Sequence, residues 1–140
     1  MRCSKAGNLD EWARVLERLD EWSREGTLEQ HQEELVQLLG HPDNWRLREA
    51  ALEAIREIRE PTDALVRATC HILMDDGLYL EVRVLAAEAL AALFERLRTR
   101  SDSPVADIRH EVRETIHALL SSPQPPVMHQ AARRILPTIE

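Results

Sequence analysis

Asp107, His110, Glu114 and His117 are spaced 3, 4 and 3 residues apart, a spacing that gathers side chains able to bind a divalent metal on one helical stripe. The run His110-Glu111-Val112-Arg113-Glu114 falls one ligand short of a zinc-hydrolase HExxH, because Glu114 stands where the second imidazole is required. Glu114 and His117 have the ExxH spacing of di-iron helices, but the chain has no second ExxH to complete such a site. The expectation is a solvated stripe opposite Ile108, Val112, Ile116 and Leu119, able at most to collect an adventitious cation. Neither a resident metal nor a cofactor is expected. Cys70 and His71 could form a thiol–imidazole pair in composition only. Adjacent helical residues point about 100° apart, so core packing is expected for Cys70.

Other catalytic signatures are absent. The chain has no glycine-rich phosphate loop, nucleophile elbow or paired-cysteine metal motif. Lys5 is its single lysine, which leaves no interior lysine for Schiff-base or general-base work. Two distant cysteines, Cys3 and Cys70, give no disulfide or zinc framework. The net charge is −7, from 25 acids against 18 bases, and this opposes the basic footprint of a nucleic-acid binder. No leader-like or membrane-spanning apolar run occurs, so a soluble, cytoplasmic, non-enzymatic protein is expected.

The elements that would carry these residues read as helices throughout. The 140 residues include 20 Leu and 16 Ala but only 4% aromatics, with 4 Gly and 7 Pro, a composition that favours an all-α fold over a sandwich or barrel. Apolar spacing of 3 and 4 predicts seven helices, at about 9–24, 28–39, 45–59, 63–74, 79–97, 104–120 and 125–140. Asn8 with Glu11 and Thr27 with Gln30 resemble capping boxes, and Asp43 and Asn44 are natural caps. Gly26, Gly40, Pro61 and Gly77 stop the helices they follow, Ser103-Pro104 and Pro125-Pro126 begin the last two, and Pro137 kinks or frays the end. Trp12, Trp22 and Trp45 are expected as buried anchors, with Trp45 able to crown a groove edge.

An internal repeat refines the fold. Leu47, Arg48, Ala51, Ala54, Ile55 and Ile58 recur in class as Val82, Arg83, Ala86, Ala89, Leu90 and Leu93, at an offset of 35 residues. Leu38-Leu39, Ile72-Leu73 and Leu119-Leu120 precede the motif each time. A degenerate third copy at Val127, Ala131 and Ile135 replaces the Arg by Met128 and the second Ala by Arg134. The stretches LLGHPDNWRLREAALEAI and ILMDDGLYLEVRVLAAEAL resemble the HEAT repeat, in its short PBS-lyase HEAT-like form, over about residues 28–139. That resemblance implies a short right-handed α-solenoid of stacked antiparallel helix pairs in a single domain. A cap helix at 1–26 would be followed by repeats at 27–60 and 61–98 and by an insertion with a degenerate capping repeat at 99–140. It also implies structural roles for Arg48 and Arg83, reaching turn carbonyls or acids such as Asp43 and Asp75. The small residues Ala51, Ala54, Ala86 and Ala89 would allow close helix approach.

The family architecture places the second helix of each pair on the concave side. Opposite the core stripe these helices carry Glu49, Glu53, Arg56 and Glu60, then Val84, Glu88, Ala91 and Glu95, then His129, Arg133 and Leu136. The offset of 35 aligns Glu53 with Glu88 and Glu60 with Glu95, an acidic ridge that fades towards Arg133. Its complement is a protein partner with a basic surface or peptide. The expected function is therefore a non-enzymatic protein-binding module, a scaffold, adaptor or regulator. Two alternatives follow from the resemblance alone: a bilin (phycocyanobilin) lyase-like enzyme or accessory subunit, and a nucleic-acid binder of the HEAT-like glycosylase type, which the Glu ridge disfavours.

Overall fold

The computed structural model describes residues 9–41, 45–97 and 106–139, with positions 9, 10, 106 and 107 as backbone only. Among these residues the protein is all-helical. Seven α-helices run in order: α1 Leu9–Glu25, α2 Gln32–Leu39, α3 Trp45–Ile55, α4 Asp63–Met74, α5 Leu80–Leu97, α6 Ala106–Ser121 and α7 Pro126–Ile139. A 3₁₀ turn at Leu28–His31 leads into α2. The caps expected from Asn8, Asp43, Asn44 and Ser103-Pro104 lie outside the described residues.

The helices pack in a regular order. α1 lies on α3, α3 on α5 and α5 on α7, while α2 lies on α4 and α4 on α6. Cross-contacts join α2 to α3, α4 to α5 and α6 to α7. One core runs through all of them, from Leu19 of α1 through Leu35, Leu52, Ile55, Leu65, Leu73, Leu90, Phe94, Ile116 and Ile135. Ala51 and Ala86 are fully enclosed at equivalent points of α3 and α5, where a larger side chain would force the helices apart.

Local chemistry explains most boundaries. α4 opens on Thr62, whose Oγ1 accepts from the Leu65 N–H at 3.2 Å, and closes at Asp75, whose Oδ1 accepts from the Gly77 N–H at 2.9 Å. Gly26 follows α1 at φ 73°, a left-handed conformation that suits glycine, as expected for a helix stop.

Two boundaries differ from the sequence expectation. The Thr27–Gln30 box is not formed: the Thr27 hydroxyl caps nothing and the chain makes the 3₁₀ turn instead. α3 stops at Ile55, not near Arg59, and continues as three tight turns, with the N–H groups of Arg56, Glu57 and Ile58 donating to the carbonyls three residues back. The 59–62 stretch is held from a distance. The Glu29 carboxylate accepts the N–H groups of Arg59 and Glu60, while Gln32 accepts from Thr62 N–H at 2.8 Å and donates to the Glu60 carbonyl at 3.1 Å.

Candidate partner-binding surface

The repeat arginines make equivalent contacts. Arg48 donates from Nε to the Leu39 carbonyl at 3.0 Å and from Nη2 to the His41 carbonyl at 2.6 Å. Arg83, only 3% exposed, donates from Nε to the Leu73 carbonyl at 2.9 Å and from Nη2 to Gln124 Oε1 at 3.0 Å, with Asp76, not Asp75, as its carboxylate neighbour at 3.4 Å. Each arginine thus closes the carbonyl end of the preceding helix, where the last C=O groups have no intrahelical donor. Asp43 is outside the described residues. In the third copy Met128 is fully buried, and the neighbouring His129 takes over: its Nε2 lies 2.9 Å from the Ser122 carbonyl. His129 is therefore engaged in holding a turn.

The other ridge residues divide by exposure. Glu53 and Arg56 are exposed at the end of α3, and Glu49 is half-buried at its start. Glu60 lies beyond the helix, in the clamped stretch before Pro61, so it does not share a helical register with Glu95. On α5 only Glu95 of the expected row is exposed, with Val84, Glu88 and Ala91 half-buried, because α3, α4 and α7 flank this helix on three sides. Arg133 is exposed on α7 and Leu136 half-buried. One cross-helix ion pair crosses the seam, Arg56 Nη1 to Glu88 Oε1 at 4.0 Å, and leaves Glu88 partly neutralised.

No family model, curated protein or solved structure matches the chain.

The residues singled out for chemistry are dispersed or chemically quiet. His110, Glu114 and His117 are exposed on α6, and the Asp107 side chain is outside the described set. Among the described residues no three His, Cys, Asp or Glu side chains converge on a metal position. Cys70 lines a cavity of about 280 Å³ between α4 and α6 with Arg67, His71 and Glu111. Burial, helped by the nearby Glu111 charge, pushes its thiol from an ordinary 9.0 up to about 12, so it is protonated and a poor nucleophile at neutral pH. Across the same cavity Arg67 and Glu111 form a forked ion pair with distances of 3.1 and 2.6 Å. Its hydrogen bonding lowers the Glu111 carboxyl pKa and raises that of the Arg67 guanidinium.

Two aromatic features depart from the expectation of buried tryptophan anchors, the second in the direction already allowed for Trp45 at a groove edge. Trp22 stacks on His31 with ring centroids 3.8 Å apart and planes 6° from parallel, tying α1 to the 3₁₀ turn. Trp45 is not a buried anchor: it is 48% exposed, and Tyr79 nearby is 70% exposed. Applying the 35-residue offset to Trp45 lands on Leu80, one residue past Tyr79. That adjacency is the signal that would have paired them. No described helix is long and apolar enough to cross a membrane.

Proposed function

We propose that this chain is a short HEAT-like solenoid, a right-handed stack of antiparallel helix pairs, that binds a partner protein through the acidic seam between α3 and α5 and performs no chemistry itself. The observation that supports this reading most directly is the seam. Glu49 of α3 lines one cavity with Val82 of α5, and Arg56, seven residues on, meets Glu88 of α5. Both contacts advance in the same sense, so α3 and α5 run side by side over about 10 Å, as like helices of successive repeats do. Along that seam Glu49, Glu53, Glu81 and Glu88 outnumber Arg46 and Arg56, and Glu95 continues the α5 row past the end of α3. A partner with a basic segment gains charge complementarity there, and the contact is expected to weaken with salt.

The test is affinity capture from the native host with mass spectrometry, using the wild-type chain and the double variant Glu53→Arg, Glu95→Arg. Both positions are exposed, so circular dichroism should show an intact helical fold. Loss of a reproducible set of captured proteins supports the reading. An unchanged set removes the seam as the binding site.

A further inference from the structure

At the start of the α3–α5 seam, Trp45, Glu49, Tyr79, Glu81 and Val82 enclose a cavity of about 270 Å³. It lies just below the roughly 300–1,000 Å³ range of small-molecule pockets, a size suited to one side chain. Its composition is specific: two exposed aromatic rings, two carboxylates, one aliphatic floor and no basic lining residue. Neither Glu49 nor Glu81 has a hydrogen-bond or ion-pair partner among the described residues, in contrast to Glu88. The Trp45 ring already accepts one cation, since the Arg46 guanidinium carbon sits 5.9 Å from its centroid.

We infer that this pocket is a receptor for a cationic side chain, a guanidinium or ammonium group presented by a basic segment of the partner protein. The inference rests on the partner-binding reading and names the chemistry of its anchor point. Aromatic faces attract a cation through their quadrupole, and a carboxylate beside them supplies full charge and a hydrogen-bond acceptor. The helix starts nearby oppose this, because α3 and α5 both begin at the pocket and each N-terminus carries about half a positive charge. The two full negative charges of the lining outweigh the two half-charges, and the exposed Arg46 guanidinium now at the Trp45 ring is the cation that the partner's group displaces, so the lining still favours a cation. The same carboxylates repel phosphate, which argues against reading the Trp45–Tyr79 pair as a base-stacking platform.

The experiment uses the full chain, ¹⁵N-labelled, titrated with hexaarginine, with hexaglutamate as control and a twelve-nucleotide oligo(dT) as competitor chemistry. The Trp45 indole N–H resonance, assigned by its loss in Trp45→Ala, reports the pocket. Hexaarginine is expected to shift that resonance and the Tyr79 ring signals, with weaker binding at higher salt. The double variant Trp45→Ala, Tyr79→Ala is expected to bind about 4- to 25-fold more weakly, from roughly 2- to 5-fold per exposed aromatic. Glu49→Gln with Glu81→Gln should weaken binding and flatten its salt dependence. If hexaarginine binds the aromatic double variant as well as wild type but is lost with Glu53→Arg, Glu95→Arg, the pocket inference falls while the acidic-seam reading stands. If both variants bind it as well as wild type, both fall. A shift of the Trp45 indole by oligo(dT) at comparable concentration would overturn the cation assignment.

Discussion

Replacing Arg83 with methionine tests whether the repeat arginine is a helix-end cap. Methionine is the residue at the equivalent position of the third copy, Met128, where it is fully buried, so the substitution is tolerable in volume and stem. What is lost is the guanidinium fork. Its Nε bond to the Leu73 carbonyl is a charge-assisted bond in a buried setting, worth about 1.5–3 kcal/mol. The Gln124 bond adds roughly 1 kcal/mol, and the Asp76 pair adds about 0–1 kcal/mol because Asp76 is exposed to solvent. Release from burying the charge offsets part of this, leaving a net cost of about 2–3 kcal/mol. For a chain of this length that lowers Tm by roughly 6–10 °C. Urea titration followed by far-ultraviolet circular dichroism measures the loss, and Arg83→Lys, which keeps the charge but not the fork, should recover less than half of it. A change smaller than about 0.5 kcal/mol would refute the capping role and with it the equivalence of Arg48 and Arg83.

Gln32→Leu should cost about 2–4 kcal/mol, since it leaves the Thr62 N–H and the Glu60 carbonyl without their partner; wild-type stability in urea would show that water replaces the clamp at no cost. In a Cys3→Ser background, Cys70 should react with a disulfide reagent at pH 8 far more slowly than a free thiol, given roughly a thousandfold less thiolate; rapid labelling of the native chain would contradict the burial argument. Glu111 and Glu34 should titrate below the ordinary glutamate value of 4.5 in carboxyl-detected NMR, Glu111 through Arg67 and Glu34 through His31 and its own backbone N–H. Their small stabilising effect is present above 4.5 and is lost as the pH falls through the lowered values. Arg67→Met should return Glu111 to its ordinary range, and a titration that stays low would exclude the ion pair as the cause.

The helices themselves were readable because their signals are local. The 63–74 helix was bounded correctly by Pro61 and Gly77, both within a few residues of its ends, while its Thr62 cap emerged only in the structure. The end of α3 was not readable for the opposite reason. Ile55 and Ile58 stay buried whether the chain continues as α-helix or tightens to 3₁₀, so the apolar pattern is the same either way. What selects the tighter path is Glu29 and Gln32, some thirty residues earlier, and no local spacing announces that. The ridge was overdrawn on α5 for a related reason. The repeat register gives this row one open face, yet Ala86, Ala87, Ala89, Ala91 and Ala92 surround Glu88 and leave little polar surface. That distribution signals a helix enclosed on several sides. The roles of Arg48 and Arg83 were legible in kind, but His129 as the substitute in the third copy was not. It sits one residue after the expected position, where the repeat register places it on the ridge.

The packing order bears on how the chain acquires its structure. The strong helix contacts reach no further than the second helix along, so closing each costs the entropy of a short loop. Such low contact order predicts fast folding, without the slow search that distant pairings impose. It also makes the two ends unequal. α1 touches the body through α3 and the Trp22–His31 stack, whereas α7 is bound by α5 and α6 together. Hydrogen exchange should therefore advance from α1 inward, with the α5 amides the last to yield.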